Sequence, residues 1–153
     1  MSRKFLILLA TLGSAALLAG AYFFESRGYL PCKMCYWQRW PHFAAVGIGI
    51  VALFMPLAAL AWLGAAAAAI TGGIGVFHAG VEQGWWPGPA SCTQAGGGLS
   101  GLPGGDLLSL DGPVLILCDQ ISWSFAGLSM AGWNAVLSFV LVLVWVRAAR
   151  VPA

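Results

Sequence analysis

Residues 40–81 read WPHFAAVGIGIVALFMPLAALAWLGAAAAAITGGIGVFHAGV, without one Asp, Glu, Lys or Arg. A membrane-spanning helix needs about 20 apolar residues, with roughly 17 as the lower limit. The stretch is therefore long enough for two short spans. Met55-Pro56 fits the turn between them, because proline disfavours helix in the residue before it. Residues 120–146 are also free of charge, and Phe5 to about Phe24 forms a further apolar run. The reading is an all-α membrane protein, a four-transmembrane-helix bundle. Its helices are expected at about 5–24, 41–57, 60–79 and 129–147, with outer loops at about 25–40 and 80–128.

Composition agrees. The 153 residues are 60% hydrophobic and 8% charged, with a mean hydropathy of +0.86. An average soluble domain carries roughly 25% charged residues. So much apolar surface cannot be hidden in a water-soluble core of this size. The chain reads as one integral domain, 1–153, with the lipid bilayer as its surroundings. A net charge of +2 without a basic run gives no reason to expect a nucleic-acid partner. Ser2-Arg3-Lys4, the apolar run and Ala19-Gly20-Ala21 also resemble a cleavable signal peptide. That run exceeds the usual apolar region of about 7–15 residues, and the later spans favour a retained first helix.

Arg3 and Lys4 precede the first span, and Arg147 and Arg150 follow the last. The positive-inside rule then puts both termini in the cytoplasm, as an even number of spans requires. Arg27, Lys33 and Arg39 in the first outer loop weigh against this, but the cysteines weigh for it. Cys32, Cys35, Cys92 and Cys118 all fall in the outer loops, on the oxidising, periplasmic side of a bacterial inner membrane. In the second loop Trp85 and Trp86 read as interfacial anchors. Residues 95–105 are Gly-rich, and the apolar stretch 107–117, broken by Asp111-Gly112-Pro113, is expected to lie on the membrane surface. Ala65 to Ala69 offers a low-volume face for close helix approach.

The chemistry centres on Pro31-Cys32-Lys33-Met34-Cys35-Tyr36-Trp37-Gln38-Arg39. A C-x-x-C dithiol can open and close as a disulfide, and its surroundings can depress a thiol pKa. Four cysteines allow three connectivities. Cys32–Cys35 with Cys92–Cys118 keeps each pair in one loop and is the expected resting state. For Cys92–Cys118 alone a structural staple is the plain alternative. Zinc would want a second C-x-x-C or nearby histidines around the loop-two cysteines, and a thioredoxin fold would want a βαβ pattern; neither is present. Arg39, four residues past Cys35 on one helical face, is expected to stabilise a Cys35 thiolate. Pro41 is expected to kink the chain just beyond it. A histidine in a membrane helix is by default a functional residue, which singles out His78. His42 reads as interfacial and Glu82 as a solvated loop charge.

Pro31-Cys32-x-x-Cys35-x-x-Gln38-Arg39-x-Pro41 resembles the disulfide bond formation protein B family, the bacterial inner-membrane thiol oxidases called DsbB. His78 through Trp85, Pro87, Gly88 and Pro89 to Cys92 adds to the resemblance. So do Cys118-Asp119, Trp123, Gly127-Leu128-Ser129 and Trp133-Asn134. It covers nearly the whole chain. The resemblance implies a quinone, ubiquinone or menaquinone, held near the outer face, and a periplasmic thioredoxin-fold partner resembling DsbA. It implies that Cys92 forms the mixed disulfide with the partner and that Cys118 is its companion. Electrons then pass to Cys32–Cys35, with Cys35 facing the quinone and Arg39 and His78 lining its site. The quinol returns them to the respiratory chain. Two rivals differ in class. One is a non-enzymatic four-helix assembly protein with a structural disulfide. The other is a vitamin K epoxide reductase-type enzyme, whose C-x-x-C usually comes late in the chain rather than after the first helix.

Overall fold

The computed structural model describes residues 1–93 and 116–152. The Gly-rich stretch at 95–105 and most of the apolar stretch at 107–117 lie outside them. The described residues form four helices, α1 (Arg3–Ser26), α2 (Lys33–Phe54), α3 (Ala58–Glu82) and α4 (Met130–Arg150). Three of these, α1, α3 and α4, are long and apolar enough to cross a membrane. The fourth, α2, is 22 residues long, but Lys33, Gln38, Arg39 and His42 make its first half polar.

Each boundary has a local cause. Ser2 caps α1 by accepting from the Phe5 N–H at 3.3 Å, one of the donors a helix start leaves unpaired. The helix stops where Gly28 takes φ +95°, a conformation glycine adopts without a Cβ penalty. Cys32 caps α2, its sulfur accepting from the Cys35 N–H at 3.3 Å. That cap starts α2 eight residues before the expected position 41 and draws Cys35 and Arg39 into its first two turns. Pro41 sits inside α2 without ending it. The expected loop at 25–40 shrinks accordingly. Met55-Pro56 ends α2, as expected, and α3 runs on to Glu82, three residues past the expected end.

The all-α expectation needs one correction. A small antiparallel pair, β1 (Ser124–Phe125) and β2 (Leu128–Ser129), aligns Ser124 with Ser129 and Phe125 with Leu128. Its turn places Ala126 at φ 50° and Gly127 at φ 80°, the double positive φ of a tight hairpin turn. Alanine is not a usual residue there, so the sequence signal is faint. β2 leads directly into α4, which Ser129 caps through the Gly132 N–H.

The helices pack around two cores. One, near the termini, joins Leu6, Ile7 and Ala10 of α1, Ala61, Ala65 and Ala68 of α3, and Leu141 and Trp145 of α4. Small residues of α3 let α4 come close: a Cβ on Gly75 would lie 3.0 Å from the Ala135 backbone nitrogen. Arg3 ties this end together. It donates to Pro56 O at 2.7 Å, Ala148 O at 3.2 Å and Val151 O at 3.0 Å. The start of α1, the end of α2 and the end of α4 therefore share one end of the bundle. The second core, at the other end, contains Cys32, Met34, Val81, Cys92 and Cys118.

Candidate functional site

All four cysteines meet in that second core, although 60 residues separate Cys32 from Cys92 in the chain. Two features hold the segment before Cys92 against the C-x-x-C. The Lys33 ammonium donates to Ser91 Oγ at 3.1 Å, and Gly88 packs where a Cβ would meet Val81 and Thr93. Cys92 and Cys118 are joined as a disulfide with Cα atoms 5.3 Å apart, the pairing expected. Cys32 and Cys35 differ from the expected resting state. They are free thiols, their sulfurs 3.0 Å apart. The site thus combines one disulfide and one dithiol in a single buried cluster.

Of the two sulfurs Cys32 is the better placed to carry a negative charge, whereas the sequence reading set Arg39 beside Cys35. As the N-cap, Cys32 receives the Cys35 N–H, and the positive end of the α2 dipole faces it. The hydrogen bond from the Cys35 thiol is the largest influence on it. With the His78 ring, that bond outweighs desolvation and holds the Cys32 thiol well below its ordinary value. Arg39 is engaged elsewhere. Its guanidinium pairs with Glu25 of α1 at 2.7 Å and lies over the rings of Tyr22 and Tyr36, at 4.6 and 5.1 Å from their centroids. The Arg39 Nε is buried without a partner.

His78 stands between the dithiol and a chain of buried amides. Gln38 Nε2 lies 2.8 Å from His78 Nδ1, and Asn134 Nδ2 donates to Gln38 Oε1 at 2.8 Å. Asn134 Oδ1 lies 2.9 Å from His42 Nε2. The direction of this chain follows from its neighbours. Gln38 Nε2 also faces Met34 O at 3.3 Å, and a carbonyl only accepts. Asn134 Nδ2 faces Thr71 Oγ1 at 3.2 Å, whose own proton is given to Gln38 O at 2.9 Å. Both amide NH2 groups are thereby fixed as donors. His78 Nδ1 must accept, so the ring carries its proton on Nε2. That N–H points to acceptors, Cys32 Sγ at 3.5 Å and Glu82 Oε1 at 3.8 Å. Glu82 is therefore not the solvated loop charge expected; it closes α3 beside His78.

Cys32, Cys35 and His78 bring their ligand atoms within 4.8 Å of one another, close enough to hold a metal. As arranged, however, His78 turns an N–H to the sulfurs, where a metal would need the lone pair. The set favours a hydrogen-bonded thiolate.

A cavity of about 410 Å³ opens beside the dithiol, between α1 and α4. Leu17, Gly20 and Phe24 of α1 and Trp133 and Leu137 of α4 form its apolar walls, and Cys35, Arg39, His42 and His78 bring polar groups to it. Its size and its few polar groups on apolar walls suit a small ring-bearing ligand. Two of the lining residues carry unpartnered buried nitrogens, Arg39 Nε and His42 Nδ1, of which the Arg39 N–H suits an oxygen atom on that ring. His42 corrects the sequence reading: it is 2% exposed, well inside the bundle. Its signal was its spacing. Cys35, Arg39 and His42 recur at intervals of four and three residues, one face of a helix. Glu25 and Asn134 were legible as side chains of this site only through their contacts with α2.

A family model described as "Disulfide bond formation protein DsbB" matches residues 3–148. No curated protein matches the chain. No solved structure does so either.

Proposed function

The chain belongs to the DsbB family, and we propose that it reoxidises a periplasmic, DsbA-like thioredoxin-fold partner and passes the electrons to a membrane quinone. Family membership makes it a disulfide-forming membrane protein with thiol oxidoreductase chemistry. The observation that carries the finer reading is that the Cys92–Cys118 disulfide and the Cys32–Cys35 dithiol share one buried cluster, with the dithiol lining an apolar cavity. A staple or an assembly protein has no use for a second, thiolate-stabilised pair beside it.

In this reading a partner thiolate attacks Cys92, giving a mixed disulfide and releasing Cys118 as a thiolate. The partner's second thiol then resolves the mixed disulfide, leaving the partner oxidised and the loop pair reduced. A loop-pair thiolate next attacks the Cys32–Cys35 disulfide, and two electrons move inward. Exchange rates depend on access and on leaving-group character. Cys32 suits the leaving role, since its thiolate is stabilised by the helix N-terminus and the His78 N–H. One disulfide in the loop and one dithiol at the C-x-x-C is the state that follows such a transfer. Cys92 is only 3% exposed, so partner attack first requires its segment to move.

The potential known for DsbA, about −120 mV, demands an acceptor of still higher potential. A quinone supplies that sink, taking two electrons and two protons per disulfide formed. Cys35 and Arg39 of α2 and His78 of α3 would hold it, against the apolar walls of α1 and α4. α2 is the fourth span in this reading. Its polar first half is covered by neighbouring helices, the usual place for polar residues in a membrane.

The test is turnover of a soluble quinone by the purified protein with reduced partner, followed by quinone absorbance. Cys35→Ser should reduce the rate to background. Full turnover by that variant, or none by the parent, would overturn the mechanism. A trapped partner disulfide at Cys118 and never at Cys92 would reverse the two loop roles.

A further inference from the structure

Two buried nitrogens of residues lining the cavity have no partner, and they differ in kind. Arg39 Nε carries a hydrogen and can only donate. His42 Nε2 faces Asn134 Oδ1 at 2.9 Å and Ser138 Oγ at 3.4 Å. Asn134 Oδ1 must accept, because Thr71 fixes the other side of that amide as the donor. His42 in its neutral form therefore holds its proton on Nε2. Its Nδ1, buried and without a partner, is a bare lone pair. Arg39 and His42 lie on one face of α2, three residues and about 4.5 Å apart along the helix axis, comparable with the width of one aromatic ring.

We propose that His42 recognises the reduced, hydroxyl-bearing form of the aromatic acceptor, accepting a hydrogen bond from a ring hydroxyl at Nδ1. The inference rests on the reading of the cavity given above. A hydroquinone satisfies both ends, one oxygen accepting from Arg39 and the opposite hydroxyl donating to His42. A quinone carbonyl has only lone pairs and leaves His42 Nδ1 unmet. A buried polar group without its partner is costly, so the cavity favours the hydroquinone over the quinone. Product binding, and hence inhibition by hydroquinone, is the expected consequence. His42 acts on the ring alone; the thiolate is served by His78, at the other end of the amide chain.

Binding is measured without turnover, by anaerobic calorimetry on the full chain with both cysteine pairs oxidised. The probes are a short-chain benzoquinone and its hydroquinone. The parent should bind the hydroquinone about tenfold more tightly, a difference of about 1.4 kcal/mol. His42→Leu should remove that preference and leave quinone affinity within about twofold. Asn134→Leu keeps the imidazole but frees its tautomer, and should weaken the preference even if His42→Leu does not fold. Equal affinity of the parent for both probes, or equal loss of both in the variants, overturns the assignment of His42 while leaving the cavity reading in place. Binding of neither probe to the parent overturns both.

Discussion

The chemistry of single residues turns on which sulfur becomes the anion. Cys32 is the N-cap of α2 and receives the Cys35 thiol, the Cys35 N–H and the His78 N–H, while Arg39 is held away by Glu25. Its folded pKa is depressed, so the thiolate should persist below the ordinary thiol value of about 8.5. The sign for stability follows. A depressed group stabilises the fold fully above its unfolded pKa and loses that contribution as pH falls through its folded pKa. Reduced protein titrated downward from pH 9 should keep one equivalent of ultraviolet thiolate absorbance well past pH 8. Cys32→Ser should lack that equivalent. A single-step loss near 8.5 in the parent would contradict the assignment. Spacing alone could not make this choice. It showed that Cys35 and Arg39 share a face, but the competing carboxylate comes from α1.

At the scale of elements, the contact between α3 and α4 depends on side chains that are missing. A Cβ on Gly64 would lie 2.7 Å from the indole of Trp145, which is fully buried. Gly73, on the same helix, has nothing within 4 Å. Gly64→Val should therefore destabilise by about 1–3 kcal/mol through overpacking. Gly73→Ala should be neutral or stabilising by up to about 1 kcal/mol, since alanine is the better helix former. Unfolding temperatures in one detergent compare the two, and equal effects would refute the packing argument. Much of this architecture was legible because charge-free runs and Met55-Pro56 are direct consequences of burial in lipid and of proline stereochemistry. The start of α2 was not. Pro41 was read as a kink, but a proline costs the helix one hydrogen bond locally, and the Cys32 cap together with packing on α1 and α3 carries α2 through it. The hairpin at 124–129 was hidden for a related reason: Ala126 occupies a positive φ that its side chain does not advertise.

For the molecule as a whole, the order of contacts separates two ends of different chemistry. Arg3 joins Pro56, Ala148 and Val151 at one end, where Lys4, Arg147 and Arg150 also lie close in sequence. The four cysteines lie at the other, with Arg27, Lys33 and Arg39. Counted as bases alone, four against three is a weak bias. Contacts strengthen it, since Arg39 is paired with Glu25 at 2.7 Å and does not stand free toward lipid headgroups. The disulfide adds an independent argument, because Cys92–Cys118 persists only where the compartment is oxidising. Under the proposed function the cysteine end is expected to face the periplasm and the Arg3 end the cytoplasm. Alkaline phosphatase, which needs export to become active, reports the difference. Fused after Val151 it should be inactive, and inserted at Gly84, just past α3, it should be active. The reverse pattern would overturn the four-span topology, since it needs either inverted termini or an α2, the least apolar helix, that lies on the surface rather than crossing. Activity at both sites would mean that α4, the one described helix between them, does not cross.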